Sequence, residues 1–230
     1  MLAVCVALFG AAPTPAPSSS SQHSMGNVAV CLVGELPGSI SLTADALRSR
    51  LLDHWGADAF VVARTEPGVE FDKEREERQL RLQLGPRTMS LDLKEGTELE
   101  SPRETQQMSM LNWRADCLTA IRQHEVRRGA KYDVFVRMRL DAMLFEEMPR
   151  GLVSMIAAKA PCTAVVPMGE DWNGLNERML IGDRCAYEAD AEIAKFVGAS
   201  GDRNNWDLEK MHELKCVLCR SSRHATSKSC

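Results

Sequence analysis

At 230 residues, 44% hydrophobic and 26% charged, the chain has the make-up of one substantial globular domain, and its length does not call for two. A formal net charge of -4 withholds the basic surface that nucleic-acid binders carry, so no nucleic acid is expected as a partner. Eight cysteines are many, yet below the density of a disulfide scaffold.

Three divisions are expected: 1–25, 26–200 and 201–230. Residues 1–12 are almost unbroken apolar sequence, shorter than the about 20 residues that span a bilayer. Their length suits the core of a secretory signal, although no Lys or Arg precedes them. A remnant of a longer signal anchor, or no signal at all, are the other readings. The Pro- and Ser-rich stretch 13–24 reads as a linker. Entry to the secretory pathway is expected, to the Golgi or beyond, with the N-terminus as the point of any membrane association.

The second division opens with an apolar run over 28–33, stopped by Gly34, as a strand buried on both faces requires. A turn over 34–38 leads to a helix over 42–55, with Leu47, Leu51 and Trp55 at four-residue spacing and Gly56 closing it. A second buried strand follows over 59–63. Strand, helix, strand with tight punctuation is the βαβ signature of a parallel sheet. Residues 66–87 are dense in Glu and Arg and read as a solvated helix or an excursion from the fold. A third strand is expected over 88–93, then a charged loop over 94–104. A long helix over 105–128 carries Met110, Trp113, Cys117 and Ile121 at helical spacing and stops at Gly129. Further on come a helix over 151–159, a strand over 163–166, an apolar segment over 179–182 and a helix over 184–197 with Tyr187, Ala191 and Ala194 as core contacts. Cys31 and Cys117 fall within apolar patterns and are expected as buried thiols. Cys162 and Cys185 are able to pair in an oxidising compartment.

The most informative stretch is Lys131-Tyr132-Asp133-Val134-Phe135-Val136-Arg137-Met138-Arg139-Leu140-Asp141. Side chains alternate along a strand, so Val134, Val136, Met138 and Leu140 share one face, and Phe135, Arg137, Arg139 and Asp141 the other. Two guanidiniums and a carboxylate then stand in a row, neighbours about 7 Å apart. Three charges on one face must be paired or must meet a ligand. Phosphate with a hard cation would suit them, because Arg grips phosphate oxygens in pairs and a carboxylate holds Mg or Mn. An internal Arg–Asp salt bridge at the strand end is the competing reading.

Residues 169–178 crowd three acids, two amides, an Arg and two glycines between apolar runs. Loops beyond the carboxyl ends of strands are where open α/β sheets bind ligands. Asp171 and Glu177 are candidates for metal binding or general-base work, and Asn173 and Asn176 for hydrogen bonds to hydroxyls. An exposed turn held by local Asn and Asp bonds competes with this. His212, Cys216, Cys219 and His224 have zinc-compatible gaps, but the segment carrying them reads as a helix without the supporting turns. No Walker loop, GxGxxG, HExxH or GxSxG pattern occurs.

Taken in order, the run over 28–38, the helix over 110–125, the charged strand over 131–141 and the segment over 174–182 resemble glycosyltransferases of the GT-A type. The resemblance is to those similar to WavE-like lipopolysaccharide and capsule synthesis proteins and to related algal and protist domains. It rests on Tyr132-Asp133 followed by an apolar run and Arg137-x-Arg139-x-Asp141, and on Gly174-Leu175-Asn176-Glu177-Arg178. It implies a single Rossmann-like domain, a mostly parallel sheet flanked by helices, with a nucleotide-sugar donor over the strand ends. Arg137 and Arg139 would contact the diphosphate, with Gly34 and Asn176 also on the donor. Asp141 would stand where the family's Asp-x-Asp holds Mn or Mg, although no literal Asp-x-Asp occurs here. Asp171 or Glu177 would serve the sugar and the acceptor, a glycan or glycoconjugate hydroxyl. The rivals are a degenerate, non-catalytic fold that binds a glycan or a partner, a zinc or redox module of the Cys-containing tail, and a sulfotransferase-like or nucleotidyl-transfer enzyme.

Overall fold

Val28–Glu35 forms β1, a strand whose apolar side chains are buried on both faces, as an unbroken apolar run demands. In the computed structural model the described residues are 27–36, 40–65, 70–96, 102–158, 162–167 and 178–192. The stretches expected as signal segment, linker and Cys-containing tail lie outside them, as do Asp171, Asn173, Asn176, Glu177 and the His212-to-His224 set.

The chain continues through α1 (Ile40–Leu47), a π-helical turn (Arg48–Leu52), α2 (Asp53–Trp55) and β2 (Asp58–Arg64). Then come α3 (Lys73–Leu84), β3 (Thr88–Lys94), α4 (Pro102–Arg128) and β4 (Val134–Arg139). The remaining elements are α5 (Gly151–Ala158), β5 (Ala164–Val165), β6 (Met179–Gly182) and α6 (Arg184–Ala191). They build one sheet of six strands in the order β3-β2-β1-β4-β6-β5. The first four strands are mutually parallel; β6 runs antiparallel to β4, and β5 antiparallel to β6. This is a Rossmann-like α/β domain, as the resemblance implied, with the parallel strands that the βαβ pattern implied.

Helices cover both faces. Leu47, Leu51, Leu52 and Trp55, with Leu80 and Leu84 of α3 and Leu152, Val153 and Ile156 of α5, pack on Val30, Leu32, Val134, Val136 and Met138. Met110, Trp113, Cys117 and Ile121 of α4, with Tyr187 and Ala191 of α6, pack on Cys31, Val33, Phe60 and Phe135. Each such aliphatic or aromatic side chain contributes about 1.5–3 kcal/mol by leaving water. The expected helix over 42–55 is interrupted by the π turn, which brings Leu51 and Leu52 inward together. The charged segment resolves as a solvated helix: Asp72 caps α3 by accepting from Arg75 N (3.0 Å), and only Leu80 and Leu84 of it are buried.

Cys31 and Cys117, expected as thiols, form a disulfide from the middle of β1 to α4; their burial reflects that bond. Cys162 and Cys185 form a second, tying the approach to β5 to α6. At the amino end of β2, the buried Asp58 carboxylate accepts from Tyr132 Oη (2.7 Å), Arg128 Nη1 (3.2 Å) and Arg87 Nη2 (3.0 Å). No helix among the described residues is long and apolar enough to cross a membrane.

Candidate functional site

The chain leaves β1 for β2 through helices on one face of the sheet and reaches β4 through α4 on the other. The strand order therefore reverses between β1 and β4. A crevice opens beyond the carboxyl ends of strands at such a reversal, and open α/β folds bind ligands there.

Gly34 lies at that edge with φ +137°, a conformation that L side chains rarely adopt. A Cβ on it would sit 3.7 Å from Leu140 N, which donates to Val33 O (2.9 Å) and extends the β1–β4 ladder one residue past β4. Next in line is Glu35, paired across the register with Arg64 at the end of β2. Arg64 Nη2 donates to Glu35 Oε1 (2.7 Å), and the guanidinium lies over the Trp113 ring at 5.3 Å. Its Nε is buried with no hydrogen-bond partner among the described residues.

Across the crevice, Arg139 ends β4 and grips Asp141 with two parallel bonds, Nε to Oδ1 at 2.9 Å and Nη2 to Oδ2 at 2.6 Å. The side chains remain 34% and 44% exposed. Those hydrogen bonds from Arg139 hold the Asp141 carboxyl below the usual carboxylate range against the opposing effect of burial, and the Arg178 charge adds to them. Arg178 also accepts the backbone N–H of Arg139 at its carbonyl (3.0 Å).

Arg137, expected in the same row, is instead buried. It shares the strand face of Arg139, but two residues deeper, under α4 and α6. There its Nε donates to Asp190 Oδ2 (2.8 Å), and Arg114 of α4 donates to Asp190 Oδ1 (3.1 Å). Burial also pushes the neighbouring Tyr187 hydroxyl far up, and that hydroxyl has no hydrogen-bond partner among the described residues. The row of three charges thus divides into a buried ion pair with α6 and a surface pair at the crevice.

Glu35, Arg64, Arg114 and Asp190 were not singled out by the sequence reading. Glu35 and Arg64 each stand at the end of a long apolar run, which is a usable signal for a strand's functional end. Asp190 follows Tyr187 on the core side of a helix, where a lone acid signals a buried partner.

A divalent cation at the crevice would meet two partly exposed carboxylates among the described residues, Glu35 and Asp141, each already accepting from an arginine, Arg64 and Arg139. That donor set does not by itself make a cation site, and no step below passes through one. Elsewhere, Cys162, Asp183 and Cys185 lie close together, but the two sulfurs are bonded to each other. Asp183 accepts from Ala186 N (2.8 Å) to cap α6 and from Thr163 N (3.1 Å). A shallow depression on α3 lined by Glu74, Glu77, Arg78, Arg81 and Leu82 involves none of the crevice residues.

Sheet order and helix placement together define a doubly wound α/β domain with charged side chains at the carboxyl ends of β1, β2 and β4. The chain belongs to the family described as a domain of unknown function, DUF7796, whose model matches residues 23–196. No curated protein matches it. Among solved structures it is similar to the mannosyltransferase PcManGT from Pyrobaculum calidifontis in complex with GDP-Man and Mn2+. That likeness has 13% identity and a TM-score of 0.37 over 80% of this chain and 50% of the other, so the chain spans half that enzyme's length. The sheet order, not this likeness, defines the fold.

Proposed function

We propose that the domain is a glycosyltransferase that holds a nucleotide-sugar donor across the β1–β4 crevice and passes the sugar to a hydroxyl of a glycan or glycoconjugate. The observation that carries this reading is the meeting of Gly34, Glu35, Arg64, Arg139 and Asp141 at the one place where the strand order reverses. A diphosphate leaving group gathers negative charge as the glycosidic bond breaks, and Arg139 is placed to receive it. Glu35 is a hydroxyl acceptor at the end of β1, and Gly34 lets a ligand approach the backbone. Arg137 supports the strand from beneath. The general base remains assigned to Asp171 or Glu177, and Asn176 to the donor, on the sequence pattern. The two disulfides support an oxidising, secretory setting.

A second reading is favoured by one feature. Both oxygens of Asp141 are engaged by Arg139, which suits a degenerate domain that binds a glycan without turnover.

Thermal shift with a panel of UDP- and GDP-sugars, with and without Mn, tests the transferase. Stabilisation by one of them that Asp141→Ala removes, together with release of nucleoside diphosphate in the presence of acceptor, is the expected result. Nucleotide sugars that leave the melting point unmoved would sink it. Stabilisation without release would favour the binding module.

A further inference from the structure

Cys162 and Cys185 bring two sulfurs beside Asp183, and the donor atoms of the three residues lie within 4.8 Å of one another. All three residues are half-buried, so reagents in solution reach them. The S–S bond is not all that holds them together. β5 and β6 pair antiparallel, with Ala164 opposite Gly182 and Val165 opposite Ile181. One residue further along, Asp183 N donates to Thr163 O and Thr163 N donates to Asp183 Oδ2, both at 3.1 Å. Gly182 permits this approach: a Cβ on it would stand 3.1 Å from Thr163 O and from Ala186 Cβ. Cys162 directly precedes Thr163, and Cys185 follows Asp183 in the first turn of α6. Backbone bonds thus keep both cysteines beside Asp183 whether the S–S bond is closed or open. Cys162 is also the one described residue other than glycine with a positive φ, +64°. Such a conformation costs about 1–3 kcal/mol and persists where the surroundings impose it.

Two sulfurs and a carboxylate do not suit Mg or Ca, which take oxygen ligands, but they suit zinc. Tetrahedral zinc, with bonds of about 2.3 Å to sulfur, holds two thiolates about 3.7 Å apart, within the spacing these donors already have. Asp183 is oriented as ligating carboxylates commonly are, by hydrogen bonds to its oxygens: Ala186 N donates to Oδ1 (2.8 Å) and Thr163 N to Oδ2. Each oxygen keeps a further lone pair for a metal. Cys185 stands where the dipole of α6 favours the negative charge of a thiolate. We propose that Cys162, Cys185 and Asp183 form a zinc site in the reduced protein, with water in the fourth position. The S–S bond and the metal are then alternative clasps between the approach to β5 and α6, the helix that carries Asp190 to Arg137. The exchange balances. A dithiol gives two electrons and two protons to the S–S bond and leaves as its own disulfide, and zinc then displaces the two thiol protons to solvent. The site lies towards the amino end of β4, where Gly182 pairs with Phe135, so it is separate from the crevice and does not depend on the transferase reading.

The test uses the full chain carrying Cys216→Ser and Cys219→Ser, which removes the other closely spaced pair of sulfurs. Oxidised protein is compared with protein treated under native conditions with a phosphine reductant. Co2+ is read by thiolate-to-metal charge-transfer absorption, and Zn2+ by competition with a chromophoric chelator. The reduced chain is expected to take up one equivalent with a charge-transfer band, and the oxidised chain none. Cys162→Ser and Cys185→Ser each weaken the band and lower zinc affinity by at least about tenfold. Asp183→Asn keeps an amide oxygen to cap α6 and lowers zinc affinity by at least about tenfold as well. Zn2+ raises the melting temperature of the reduced chain and raises that of reduced Asp183→Asn far less, a comparison that holds even where a cysteine variant folds poorly. A reduced chain without the band, equal binding by oxidised and reduced chains, or zinc affinity unmoved by Cys162→Ser or by Asp183→Asn overturns the site.

Discussion

Arg137 and Asp190 meet at 2.8 Å with about 1% of either side chain exposed, so a cation on β4 is neutralised by an anion on α6 inside the α4–α6 layer. Breaking a buried pair by removing one partner leaves the other charge uncompensated, which costs about 3–5 kcal/mol. Asp190→Ala is therefore expected to lower unfolding free energy by that order, read from urea melts. Arg137→Met and Arg114→Met together with Asp190→Leu should recover much of the loss, because apolar replacement of both arginines and their shared carboxylate removes the desolvation penalty. A single Asp190→Ala variant as stable as wild type would contradict the pairing.

Arg139 and Asp141 behave differently because water reaches them. An exposed pair is worth about 0–1 kcal/mol, so Arg139→Ala and Asp141→Ala should leave the denaturation midpoint nearly unmoved. Nucleotide-sugar binding should fall with both, and Arg139→Lys should recover only part of it, since Lys lacks the planar fork. The pH dependence follows from the sign of the shift. The folded Asp141 titrates below its ordinary value, so the pair is intact above that value and is lost only as pH falls through the lower, folded one. Donor affinity from pH 5 to pH 8 should carry no step from Asp141, as a calorimetric titration series would show.

Much of the sheet could be read directly from the sequence. The buried runs at 28–33 and 59–63, Gly56 and Gly129 as helix stops, and the alternation along 134–140 all appear as their residues dictate. Alternation says which face a side chain takes but not how deep it lies under a helix from elsewhere in the chain. Arg137 and Arg139 looked equivalent for that reason, and only the arrival of Asp190, 53 residues later, separates them. The same limit hid the Cys31–Cys117 bond, since periodicity marks both as buried and is silent on whether they touch. Leu51 and Leu52 are both inside, within a π turn that four-residue spacing does not anticipate.

Asp58 offers a control at the far end of the sheet. Its carboxylate gathers a tyrosine hydroxyl and two guanidiniums, and Asp58→Ala would leave the buried Tyr132 hydroxyl without its 2.7 Å acceptor. An orphaned buried donor costs about 1–3 kcal/mol, more beside charged groups. Stability should fall by that order while nucleotide-sugar affinity, measured well below the new midpoint, stays within error. Loss of affinity at unchanged stability would place Asp58 in the site and contradict the assignment of the site to the carboxyl ends.

Gly34→Ala should act on both stability and binding. The backbone there has φ +137°, and holding a residue with a side chain in a sparsely populated region costs about 1–3 kcal/mol. Relief comes by rotating the peptide between Val33 and Gly34, next to the Leu140 N–H on Val33 O. A lower melting temperature with weakened donor binding is expected. An unchanged melting temperature would mean that the glycine conformation is not required there.

The two disulfides should respond to reductant in a fixed order. Cys31 and Cys117 are both fully buried, whereas Cys162 and Cys185 are only half-buried, and thiol exchange needs access to a sulfur. Dithiothreitol without denaturant should therefore open Cys162–Cys185 and leave Cys31–Cys117 intact, as alkylation followed by peptide mass mapping would reveal. Closing a loop across a sequence separation of 86 constrains the unfolded chain by about 4–5 kcal/mol in the chain-entropy picture, so Cys117→Ala should lower the melting temperature well beyond the effect of Cys185→Ala. Equal reduction of both bonds in the folded protein would mean that α4 opens from β1 on the timescale of the experiment. The layer that buries Arg137 would then be far less closed than its packing implies.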